Sequence, residues 1–73
     1  MNKERRKRIS EALAAASDAK DILQEVRDEE QEAFDNLSEN LQQGEQGQQL
    51  EQNVSDLEDA INHLEEVIGM PEN

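Results

Sequence analysis

The groups through which this chain could carry out acid–base or metal chemistry are nineteen carboxylates and one histidine, His63. Carboxylates stand side by side, as Glu29 with Glu32 or Glu65 with Glu66. A general acid and base, however, need a cleft that drives their two pKa values apart. A pair of helices offers no such cleft, so these carboxylates are expected to be solvated and the chain not to be an enzyme. Metal spacing is equally poor. EF-hand spacing is absent, and the Glu-x-x-His pairs of di-iron bundles are reversed here, as His63-x-x-Glu66. With no cysteine and one histidine a structural zinc site is excluded. No cofactor is expected. His63 sits beside the apolar stripe of its segment, with Asp59 four residues before it. It is expected to be an exposed or rim residue weakly paired to that aspartate.

Charge order carries more information than the net charge of −12. Five of the seven bases (Lys3, Arg5, Arg6, Lys7 and Arg8) fall in the first eight positions, whereas 14 acids and no base follow from Asp28 onward. The chain is therefore a basic tip on an acidic body. The tip could hold phosphates of a small anionic ligand such as a nucleotide, or meet the acidic end of a neighbouring subunit. Direct nucleic-acid binding is not expected, because there is no stacking platform of aromatics and the acidic body repels a duplex. The body, with Asp28, Glu29, Glu32, Asp35 and Glu39, suits a protein partner with a basic surface and could imitate a phosphate array.

These groups must be positioned by helices. Residues 3–35 contain no Gly or Pro and are rich in Ala, Leu, Glu, Lys, Gln and Arg, the strong helix formers. Apolar residues at Ile9, Ala12, Ala16, Ala19, Leu23, Val26, Ala33 and Leu37 keep a three–four spacing that only Glu30 breaks. Glu30 either fixes register as a polar core residue or yields its place to Phe34 and reaches solvent. Leu13, Ile22 and Phe34 widen the face beyond a two-stranded contact. Residues 37–47 hold two glycines and several turn formers, and read as a bend. Asn36 or Ser38 could stop the first helix, and Ser38 could cap a short turn that buries Leu41. A second helix over about 48–68 carries Leu50, Val54, Leu57, Ile61, Leu64 and Ile68, ended by Gly69 and Pro71.

The expected architecture is a single all-α domain over residues 1–73. It is an antiparallel hairpin with a long helix (about 3–36) and a shorter one, assembling into a four-helix-bundle dimer or a higher homo-oligomer. Folding back at the bend makes facing residue numbers sum to roughly 85, so Ile68 meets about Ser17 and the first ~15 residues overhang by some 20 Å. Leu23, Val26, Leu37, Leu50, Val54, Leu57, Ile61 and Leu64 are expected to be the most buried. A chain this short rarely builds a sufficient core alone, and with disulfides and zinc excluded, oligomerisation remains. The bases at the start of the first helix and the acids towards its end oppose the helix dipole. Helix stability does not select that order, so contacts with another chain, or function, are the expected reasons for it.

The stretch Arg27-Asp-Glu-Glu-Gln-Glu-Ala-Phe-Asp-Asn-Leu-Ser-Glu-Asn-Leu-Gln42 resembles a segment of small acidic helical proteins of phages and prophages. In that pattern a proline often stands where this chain has Ser38, which would make the helix stop firmer. The resemblance implies a phage or bacterial cytoplasmic setting and a role among small host-interfering proteins; it transfers no binding residue. No apolar run approaches the ~18 residues of a membrane span and no secretory leader is visible, so cytoplasm (host cytoplasm if phage-encoded) is expected and membrane contact is not. The leading functional expectation is a non-enzymatic protein that binds and modulates a host or phage protein. The candidate contacts are Arg5, Arg6, Arg8, Ile9 and Leu13 on the overhang, and Asp28, Glu29, Glu32 and Asp35 on the acidic surface. An oligomeric binder of a small anion through the basic tips is the alternative, and a structural assembly subunit is the third.

Overall fold

The computed structural model describes residues 2–71 and is all helical: α1 (Lys3–Asp35), α2 (Glu39–Gln43) and α3 (Glu45–Ile68). The first helix starts where Asn2, in extended conformation, accepts a hydrogen bond from the Arg5 backbone N–H at 2.8 Å. A short polar side chain at this position satisfies one of the otherwise unpaired first-turn donors. The helix ends at Asn36, whose N–H still reaches the Glu32 carbonyl at 3.0 Å.

The bend is more ordered than its composition suggested. Residues 37–47 make the bend, and most of them are helical: Ser38 caps the short helix α2, as its type allows, through a 3.4 Å bond from the Leu41 N–H, and α3 begins at Glu45, three residues before the expected start. The expected burial of Leu41 is corrected, since it is half exposed. Gln42 locks the corner from the other direction. Its side-chain amide donates to the Phe34 carbonyl at 3.1 Å, occupying an acceptor that the end of α1 leaves free. Gly47 is buried against the same residue, and a Cβ there would stand 2.0 Å from the Gln42 carbonyl oxygen. Only the missing side chain lets α3 leave the corner so close to α2.

The helices α1 and α3 then run antiparallel. Lys20 Nζ lies 3.4 Å from Glu65 Oε1, and Asn53 Nδ2 donates to Glu30 Oε2 at 2.9 Å, so facing residue numbers sum to 85 and 83. The hairpin register read from the bend is thus the register found. The buried apolar core is small: Val54 and Ile61, both on α3. Leu23, Leu37, Leu50, Leu57 and Leu64 are half-buried, less covered than their stripe positions promised. Val26, expected inside, is 37% exposed.

That correction has a geometric cause. The half-buried line facing α3 is Ala16, Lys20, Leu23, Arg27, Glu30 and Phe34 of α1 with Leu37 just beyond the helix, continued onto the overhang by Ile9 and Leu13, whereas Ala12, Ala19, Val26 and Ala33 are exposed. Both sets keep three–four spacing and share every other member. They differ by one residue, about 100° of rotation, at the alternate positions. The long stems of Lys20 and Arg27 can lie along apolar surface while their charges reach water. The all-apolar version of the stripe is left on one flank.

The molecule measures 58 × 14 × 12 Å, with a radius of gyration of 17.0 Å. A compact chain of this length would have about 11 Å. None of the described helices is long and apolar enough to cross a membrane.

Two substitutions test the corner. Gly47→Ala should destabilise the fold by ~1–3 kcal/mol, because the clash with backbone outweighs the ~1 kcal/mol that alanine otherwise gains in a helix. Gly44→Ser has room, its nearest neighbours lying 3.6 and 3.7 Å from the new Cβ, and supplies the side-chain cap that α3 lacks. It should be neutral or stabilising by a few tenths of a kcal/mol. Thermal unfolding at fixed concentration decides, and a Gly47→Ala protein as stable as the parent would refute the close approach. Ile61→Ala, at a position only 3% exposed, should cost ~2–5 kcal/mol by the same measurement.

Candidate interaction surface

The two flanks of the hairpin differ in chemistry. On α1, Asp21, Glu25, Asp28, Glu32 and Asp35 repeat at spacings of four and three and are all exposed. That spacing puts them in one ridge along the helix. On α3, Glu51, Glu58 and Glu65 repeat every seven residues, also exposed. Helical geometry turns them to the same side, because the helices are antiparallel and both sets lie on the same rotational flank of their seams. This is the acidic side.

The opposite side carries Ala12, Ala15, Ala19, Ile22 and Val26 of α1 with Leu57, Ala60, Leu64 and Val67 of α3. Ile22 is 59% exposed and Val67 47%, which is unusual for residues of this size spaced as a stripe. Val26, Glu30, Asn53, Asp56 and Leu57 line one shallow depression between the two helices, which fixes Val26 and Leu57 on a common side. A second depression, on the overhang, is lined by Arg5, Arg8, Ile9 and Ala12. It is a groove on a single helix, because Ile68 at the end of α3 reaches only the level of Ser17.

The residues singled out from the sequence are therefore divided. Arg5, Arg6 and Arg8 are exposed on the overhang, with Ile9 and Leu13 half-buried beside them. Asp28, Glu32 and Asp35 stand on the acidic ridge, whereas Glu29, exposed seven residues after Ile22, continues the row of Ala15 and Ile22 on the opposite side. The basic and acidic groups are not brought together within one molecule. Arg27 makes only a local pair with Asp28, 3.1 Å between Nη2 and Oδ1. Among the described residues no three His, Asp or Glu side chains gather where they could hold a metal ion. His63 is exposed.

Glu30 resolves the two readings of the broken stripe by combining them. Phe34 does take a seam position, yet Glu30 stays half-buried and accepts the hydrogen bond from Asn53. A carboxylate at a seam is tolerated when a donor on the facing helix satisfies it. Asn53 was missed because it lies one residue before Val54 in a segment read only for its apolar positions. Gln42 was missed because a side chain that caps a carbonyl eight residues earlier leaves no local pattern.

Comparison with protein-family models, with curated proteins and with solved structures found no match.

The Glu30–Asn53 bond should fix the register of the hairpin. A double-mutant cycle of Glu30→Ala and Asn53→Ala should give a coupling of about 1 kcal/mol, below the ~1.5–3 kcal/mol of a well-buried bond to a charged group because both residues are partly solvated. Additive effects on unfolding free energy would show that the bond contributes nothing.

Proposed function

We propose that this chain is a non-enzymatic interaction protein that binds and modulates a protein with a basic surface, as a small phage-type inhibitor would. The observation that carries this reading is the exposed ridge of Asp21, Glu25, Asp28, Glu32 and Asp35 beside the row of Glu51, Glu58 and Glu65. Spacings of three and four residues put a carboxylate about every 5 Å along α1. A nucleic-acid strand of a duplex presents a phosphate every ~3.4 Å along its axis. Two such rows on rigid helices offer a basic groove an array of comparable scale at no ordering cost in flexible loops. The contact would be fast to form and sensitive to salt.

The groove lined by Arg5, Arg8, Ile9 and Ala12 favours a second reading, capture of a small anionic ligand such as a nucleotide at a subunit interface. Guanidinium groups are suited to phosphate through paired hydrogen bonds.

Neutralising the ridge as Asp28→Asn, Glu32→Gln and Asp35→Asn separates the two. On the first reading, the parent chain captures a protein from bacterial lysate at low salt, duplex DNA competes for it, and the variant loses it while keeping its helicity. Capture undiminished in the variant, or no salt-sensitive capture by the parent, would contradict it. On the second reading titration calorimetry detects nucleotide binding that an Arg5→Ala, Arg8→Ala protein lacks.

A further inference from the structure

The apolar flank of α1 is a complete stripe. Ala12, Ala15, Ala19, Ile22 and Val26 succeed one another at spacings of three and four, and every one is exposed. At its N-terminal end lies the groove with Arg5 and Arg8, and at its C-terminal end the depression with Glu30 and Asp56. The two ends are opposite in charge and nearly equidistant from Ala19.

We propose that this side closes on a second copy of the chain, with the two α1 helices antiparallel about a two-fold axis near Ala19. In such an isologous contact each residue pair occurs twice, and facing residue numbers on α1 sum to about 38. Ala12 then meets Val26 of the second copy, and Ala15 comes opposite Ile22, small against large. Arg5 and Arg8 come over the second copy's Val26–Glu30–Asp56 depression. The overhanging turns of each α1 thereby lie in the groove between α1 and α3 of the other, where its own α3 does not reach. A parallel pair would stack the five bases of one tip on those of the other, so charge selects the antiparallel arrangement.

The area agrees. A compact monomer of 8.3 kDa exposes about 4,600 Å², and this hairpin exposes 5506 Å². The excess, on the order of 900 Å² over the whole elongated surface, leaves room for the ~800 Å² that one partner contributes to a standard stable interface. The inference does not depend on the partner reading above. It bears on the anion reading, because antiparallel pairing sends the two basic tips to opposite ends of the dimer.

The native chain has no cysteine, so single cysteines report the contact directly. Ala19→Cys, beside the axis, should couple to a species of twice the chain mass under mild oxidation, whereas Asp21→Cys on the acidic side should not. Arg8→Glu should weaken self-association about tenfold, each charge contact being present twice, and Asp56→Arg in the same chain should restore it. Helix content at high concentration distinguishes weakened pairing from failure to fold. Four results would overturn the proposal: a chain that stays monomeric at high concentration; equal coupling at both cysteines; self-coupling of an Arg5→Cys chain, which marks a parallel pair; or an Arg8→Glu chain that associates like the parent.

Discussion

The structure depends on a mismatch between its two long helices. The 33 residues of α1 face only 24 of α3, and the apolar arc on α1 is wider than one neighbouring helix can cover. A hairpin that seats α3 against Leu23, Phe34 and Leu37 leaves Ala12, Ala19, Ile22 and Val26 in water. Rotating α1 to bury those residues would expose the first set instead. The two buried apolar residues, Val54 and Ile61, belong to the helix whose stripe is narrow enough to be covered. At ~25 cal/mol per Å² of apolar surface removed from water, the uncovered flank is the largest source of free energy the single chain leaves unused.

Charge is arranged around that flank. Acids line the side that faces away from it, while the bases stand at one end of it and Glu30 and Asp56 at the other. The order of charges on α1 opposes its dipole at a cost of a few tenths of a kcal/mol near each terminus. The proposed antiparallel pairing would offset this cost by setting bases against acids between chains. The acidic ridge would remain free on the outside of such a pair, so the proposed self-association and the proposed contact with a basic protein would use different surfaces.

Much of the fold was legible in the sequence. The uninterrupted propensity of residues 3–35 and the clean stripe from Leu50 to Ile68 placed both long helices, and the bend length set the register that Lys20–Glu65 and Glu30–Asn53 keep. The face of α1 was less legible. The sets 12, 19, 26, 33 and 13, 20, 27, 34 have the same period, and hydrophobicity favours the first because Lys20 and Arg27 count as charges. Their long apolar stems let the second set take the seam, a property that a binary apolar–polar reading discards. The corner was hidden for another reason: it rests on backbone contact at Gly47 and a non-local cap from Gln42, neither of which leaves a periodic trace. Of the candidate contact residues, the exposure of the arginines and carboxylates followed from charge alone. Their division between two opposite sides required the helices to be oriented.

The claim that the apolar flank of α1 must be covered by another molecule of the chain is tested most directly by thermal unfolding followed across about a thousandfold range of protein concentration. Association coupled to folding predicts a Tm that climbs steadily with concentration, with loss of helix on dilution. A Tm that is the same at every concentration, with helix fully retained in the most dilute sample, would contradict the account.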